Sequence, residues 1–172
     1  MDTVKKLSTT YLKLFVFRYG IILLAVILII GALFLLGPEK NVALFTITLI
    51  LGTLFFSVLS LLDYRRLKKN IRLASVSLVN NTLWINGQVF TLDRIREITP
   101  LSVGEGINDK NAFSLIEIRM ADGKAYYFLD QPLDWKFRSR TIKLLRRLPE
   151  LSSKIREERT VTEGLASLSG KL

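Results

Sequence analysis

Two uncharged apolar runs, residues 19–36 and 42–62, dominate the hydrophobic pattern, and the short segment Gly37-Pro38-Glu39-Lys40-Asn41 separates them. A helix rises about 1.5 Å per residue, so roughly 20 residues cross a hydrocarbon core about 30 Å thick. The second run has that length. The first reaches it when residues 15–17 are added, with Arg18 near the membrane edge. The pattern predicts a transmembrane helical hairpin, residues 14–62, with spans over 15–36 and 42–62 and a five-residue connector. The rival reading is a buried hairpin in a soluble core, but soluble helices of this length keep a polar face. A cleaved signal peptide fits poorly, because the apolar stretch exceeds the usual h-region of about 7–15 residues.

From Ala74 the period falls to two. Ala74, Val76 and Leu78 alternate with Ser75 and Ser77, the mark of a half-buried strand. Asn80-Asn81 can turn the chain into a second strand over 82–85, and Asn86-Gly87 is a type I′ hairpin signal leading to a third over 88–92. A turn at 93–98 leads into a fourth strand, and residues 101–112 read as a loop. Residues 113–120 form a strong strand, with Ile116, Ile118 and Met120 inward and Glu117 and Arg119 toward solvent. Asp122-Gly123 turns it into 124–129. Trp84 sits in the second strand, and truncating it costs roughly 3–5 kcal/mol only if the ring is core.

After Pro132, Asp134 is a candidate N-cap for a helix over 135–148, and Pro149 opens a second short helix over 150–158. The predicted fold is α+β: a two-helix transmembrane hairpin followed by a small antiparallel β domain closed by a C-terminal helix. Its divisions are an N-terminal segment 1–13, the hairpin 14–62, a basic juxtamembrane linker 63–72, the β domain with its helices 73–158, and a flexible tail 159–172.

Charge adds orientation. The chain carries 25 Lys and Arg against 15 Asp and Glu, a net +10. Lys5, Lys6, Lys13 and Arg18 precede the first span; Arg65, Arg66, Lys68, Lys69 and Arg72 follow the second. The positive-inside rule then puts both termini and the β domain in the cytoplasm of an integral plasma-membrane protein, with the connector outside. Arg18 either snorkels to lipid phosphate or pairs within a complex. Small residues in the spans (Gly20, Ala25, Gly31, Gly52, Ser57, Ser60) pack the two helices together or receive a partner's helix.

The cluster Arg65, Arg66, Lys68, Lys69 and Arg72 sets topology or contacts anionic lipid headgroups. The basic helix beginning near Trp135 solvates its charges or docks on lipid or an acidic partner. No nucleic-acid-binding motif accompanies the charge.

There is no Cys and no His, which removes disulfides, thiolate nucleophiles, Cys–His zinc sites and imidazole acid–base chemistry. The carboxylates are scattered. Glu105 and Asp109 share a loop that can hold a cation only weakly, without EF-hand spacing. Gly104-Glu105-Gly106 lacks the third glycine and helix of a phosphate cradle. The reading is therefore a protein that is not an enzyme and has no cofactor or metal.

Several segments carry a resemblance: 82–85 with Asn86-Gly87, 90–95 leading to Ile98, 115–120, Asp122-Gly123, 126–129 and the Trp135 helix. Together they resemble bacterial membrane-anchored proteins with a pleckstrin-homology-like domain. Residues 103–107 and 115–119, with the order of hairpin then domain, are similar to the photosystem I assembly factor family. The resemblance implies a non-catalytic scaffold or assembly factor that works by binding, and it assigns no residue a role. The expected function is an accessory, scaffolding or assembly subunit of a membrane complex; the alternative is a sensor of anionic lipid. For a protein partner, the candidate surface is Gly104, Glu105, Gly106, Asn108 and Asp109, with Tyr127 as an exposed aromatic and Trp135.

Overall fold

The structure, a computed structural model, describes residues 4–35, 38–103, 113–130 and 139–169. It is a mixed α+β fold in two compact units. Tyr11–Arg66 form one unit, and residues on both sides of it in sequence, 4–10 and 67–169, form the other.

The β unit begins with β1 (Lys5–Lys6), which the hairpin separates from its neighbour in the sheet. The hairpin is α1 (Tyr11–Leu35) and α2 (Pro38–Asn70). Then come β2 (Val76–Val79), β3 (Thr82–Ile85), β4 (Gln88–Phe90), a 3₁₀ turn at Leu92–Arg94, β5 (Ile95–Val103), β6 (Phe113–Met120) and β7 (Ala125–Leu129). The chain continues through α3 (Arg140–Leu145), α4 (Pro149–Ser152), β8 (Arg159–Val161) and α5 (Ala166–Ser169).

The strands make two four-stranded sheets, ordered β1-β2-β3-β4 and β7-β6-β5-β8. All pairs are antiparallel except β5 with β8. The predicted meander is thus split into two sheets and gains a strand at each sequence extreme. Local chemistry sets the tight turns. Asn80 and Asn81 hold φ of 44° and 59°, and Asn86 and Gly87 hold 51° and 82°. Those are the two positive values that a two-residue type I′ turn needs. Asn86 also accepts a hydrogen bond on Oδ1 from the Ser75 amide at 2.8 Å, which fixes the hairpin against the start of β2.

Pro100 lies inside β5 at no cost to the main ladder. The Ile98 amide donates to the Lys154 carbonyl, so the Pro100 nitrogen two residues on points the same way. There it falls between the Ile98–Ile155 bridge and the first β8 pair at Leu101. The sequence reading began a loop at Leu101; Leu101 and Val103 are instead buried strand residues.

The core takes Val76, Leu78, Leu83 and Ile85 from one sheet and Ile98, Ile116, Ile118 and Phe128 from the other; Ile142, Leu145 and Leu151 belong to the same cluster. Leu7 belongs to it too and is fully buried. Residues 4–10 are stitched to both sheets: the Leu7 and Ser8 amides donate to the Val76 carbonyl, and the Thr9 amide to that of Leu129. The expected N-terminal segment is therefore an integral part of the β unit.

Other boundaries shift. Residues 38–41 are the first turn of α2 rather than part of a connector, with proline at the helix start, where its missing N–H is harmless. The expected linker is helical to Asn70. Ser139 caps α3, its hydroxyl accepting from the Ile142 amide at 3.0 Å, later than the cap expected at Asp134, which lies outside the described residues. The helix expected over 150–158 stops at Ser152. The supposedly flexible tail forms β8 and α5 and buries Leu165 and Leu168.

Candidate interaction site

The predicted lipid-contact residues Arg65, Arg66, Lys68 and Lys69 ride on the last turns of α2, and Arg72 follows two residues beyond its end. All five are exposed. Of the predicted partner surface, Gly104, Glu105, Gly106, Asn108, Asp109 and Trp135 lie outside the described residues. Tyr127 is not an exposed aromatic: it is fully buried on β7. Among the described residues of the β unit, the exposed aromatic is Trp84, 38% accessible. It stands in a row across the first sheet, Lys6–Ser77–Trp84–Val89, set by strand register.

Glu117 corrects a second expectation. Rather than facing solvent, it is 1% accessible. Its Oε1 accepts from Arg119 Nη2 at 2.9 Å and from the Tyr127 hydroxyl at 3.2 Å, and its Oε2 accepts from Arg159 Nη2 at 3.2 Å. Arg119 also reaches Glu97 at 2.6 Å, and Arg156 approaches Glu97 at 3.8 Å. The network ties β5, β6 and β7 to the C-terminal strand. Burial, then the Glu117 charge and its hydrogen bond, push the Tyr127 phenol up to about 12.

A carboxylate with both oxygens engaged by guanidinium and phenol donors is a structural anchor and is badly placed to accept a substrate proton. A signal for it was present in sequence. Leu115-Ile116-Glu117-Ile118 is a nearly continuous apolar run, which marks a strand covered on both faces and not an alternating one.

In the hairpin unit, Arg18 does not simply snorkel. Its Nε lies 3.2 Å from Asp63 Oδ2, and the Tyr19 hydroxyl donates to the same oxygen at 2.5 Å. Antiparallel helices bring the start of the first run beside the end of the second, so these flanking charges meet. Tyr11 and Tyr64 stack edge to face at 5.0 Å in the same region. Of the small residues, Gly52 makes the close approach, since a Cβ there would collide with Val26 Cγ2; Gly20 and Gly31 face open space.

One further surface is built by α3. Thr141, Ile142 and Leu145 are buried, while Arg140 and Lys143 of the helix and Arg146 and Arg147 in the turn after it are exposed. Among the described residues, none of these four cations has a carboxylate within ion-pair distance. The described residues also hold no group of three or more acidic side chains arranged for a metal. Comparison with protein-family models, with curated proteins and with solved structures finds no match.

Proposed function

We propose that the protein is a membrane-anchored, non-catalytic accessory or assembly subunit whose β unit binds a partner at the cytoplasmic surface of the plasma membrane. The observation that carries this reading is the pairing of a self-contained β unit with an apolar hairpin. Helices α1 and α2 each contain a stretch long and apolar enough to cross a bilayer. Their large side chains, including Ile21, Ile27, Leu28, Phe34, Ile50 and Phe55, are exposed rather than buried in a soluble core. Hydrocarbon is the surrounding that such a surface calls for.

Two sheets followed by a short packed helix support the pleckstrin-homology-like reading of the β unit. Glu117 and Asp63 are engaged in internal pairs, which favours binding over acid–base catalysis. Because β1 and β2 belong to one sheet, the hairpin leaves and returns to the same unit, which favours an even number of crossings.

Two measurements test the reading. A cysteine at Asn41 should label from outside intact cells, and one at Asn86 should not; external labelling of Asn86 rejects the topology. Mild-detergent extraction of the native membrane should recover the chain with a stoichiometric protein partner, and recovery with lipid alone rejects the accessory-subunit reading.

A further inference from the structure

We propose that the outer face of α3 and the turn that follows it, carrying Arg140, Lys143, Arg146 and Arg147, docks on the anionic phospholipid headgroups of the bilayer that holds the hairpin. This rests on the membrane placement proposed above, and it is independent of the accessory-subunit role.

Three observations point to lipid. The cations fall within eight residues on one short helix and its following turn and lack carboxylate partners among the described residues, whereas Arg18, Arg119, Arg156 and Arg159 are all paired. Such a face has its charge available for an external anion. Second, α3 is sewn to the chain just before it leaves the β unit. Thr141 is fully buried, and its Oγ1 donates to the Leu7 carbonyl at 3.2 Å. Leu7 is four residues ahead of the first residue of α1, Tyr11, and four residues extend at most about 14 Å. The apolar span begins at Arg18, seven helical residues or about 10 Å further along α1, so the chain holds the Leu7–Thr141 contact within about 25 Å of the bilayer whenever the hairpin is inserted.

Third, among the described residues the face contains no aromatic residue. Protein interfaces draw most of their affinity from buried aromatic and arginine anchors in desolvated pockets. Headgroup binding needs charge alone, each cation near an anionic leaflet adding independently. Arg65, Arg66, Lys68, Lys69 and Arg72 leave the hairpin at its other end, so that strand of the tether is cationic as well.

The chain has no cysteine, so Ser152→Cys, exposed in α4, provides a single labelling point. Full-length protein with a fluorophore there is reconstituted in nanodiscs containing nitroxide-headgroup lipid. One set is phosphatidylcholine alone, the other phosphatidylcholine with phosphatidylglycerol. Quenching is expected to be at least about twofold stronger in the anionic discs. It should fall back near 1 M salt, where the screening length is about 3 Å rather than about 10 Å at 0.1 M.

The variant R140Q/K143Q/R146Q/R147Q should lose the anionic component, while R94Q/R96Q should keep it. All six side chains are exposed, and the lipid and salt comparisons on the otherwise unaltered chain stand apart from these variants. Equal quenching in the two lipids, or no change in the quadruple variant, overturns the proposal. So does an unquenched label combined with loss of an acidic protein partner in that variant, which assigns the face to protein. A chain that does not stay with the disc defeats the membrane reading and this one together. A chain that stays but is never quenched defeats this one alone.

Discussion

A carboxylate removed from water must find its hydrogen bonds within the protein or give up its charge. Glu117 meets that demand with Arg119, Arg159 and Tyr127, and the phenol bears a consequence. Burial disfavours the charged phenolate, and ionising Tyr127 would also place a second negative charge beside Glu117, so its pKa rises from 10.0 to about 12. In the unfolded chain the phenol gives up its proton near pH 10. The native state holds the proton longer, so this contribution to stability is complete below about pH 10 and is lost as pH rises toward about 12. Denaturant midpoints measured between pH 8 and pH 11 should therefore fall with pH, and Tyr127→Phe should flatten the decline. An equal decline in Tyr127→Phe would show that another group carries it. Such residue-level placements were hard to read in advance. Alternation puts Glu117 on the surface, and Tyr127 is expected there as an exposed aromatic, because period two identifies faces but not which faces a later segment covers. Trp84 is large and apolar, yet it lies on the face of its strand opposite the buried Leu83 and Ile85.

At the scale of elements, what was legible is what local chemistry decides. Asn80-Asn81, Asn86-Gly87 and Asp122-Gly123 each turn the chain where their backbone tolerance demanded, and the strands between them follow. Gly87 offers a clean measurement. A Cβ there meets nothing within 4 Å, so the penalty of Gly87→Ala comes from φ of +82° alone. It should cost about 1–2 kcal/mol in chemical denaturation. A neutral result would mean that the turn relaxes out of the type I′ geometry. Elements fixed by distant partners escaped notice. Strand β8 is three residues, Arg-Thr-Val, in a polar stretch, and its parallel pairing with β5 spans nearly 60 residues of sequence. Nothing local distinguishes it from a frayed tail. Only Leu165 and Leu168, both buried, signalled a docked segment. The lysines of β1 were read only for the topology they set, and they serve as a strand as well.

Taken whole, the molecule is a β unit interrupted by a hairpin, and this arrangement decides which pieces of it can fold. A fragment starting near Asn70 would lack β1, the Leu7 side chain from the core and the amides that Leu7, Ser8 and Thr9 donate to the two sheets. Losing a fully buried leucine alone costs about 2–5 kcal/mol, a large share of the roughly 5–15 kcal/mol that stabilises a domain. That fragment should be soluble only with exposed apolar surface, binding hydrophobic dyes and melting without cooperativity. The missing segment can be returned without the membrane helices. Tyr11 and Tyr64 have ring centroids 5.0 Å apart, and Arg18, about two turns further along α1, reaches Asp63 beside Tyr64, so the two ends of the hairpin unit lie side by side. A flexible linker of about six Gly and Ser residues, with a mean span of about 13 Å, can therefore join residue 10 to residue 67. The shortened chain should fold as a soluble, mainly β protein with a cooperative transition. Leu7→Ala in it should lower stability by the amount expected for a buried leucine. If the fragment from Asn70 proves as stable as the joined chain, then residues 4–10 contribute nothing to the fold. The hairpin would then be a leader ahead of an independent domain, not an insertion within one.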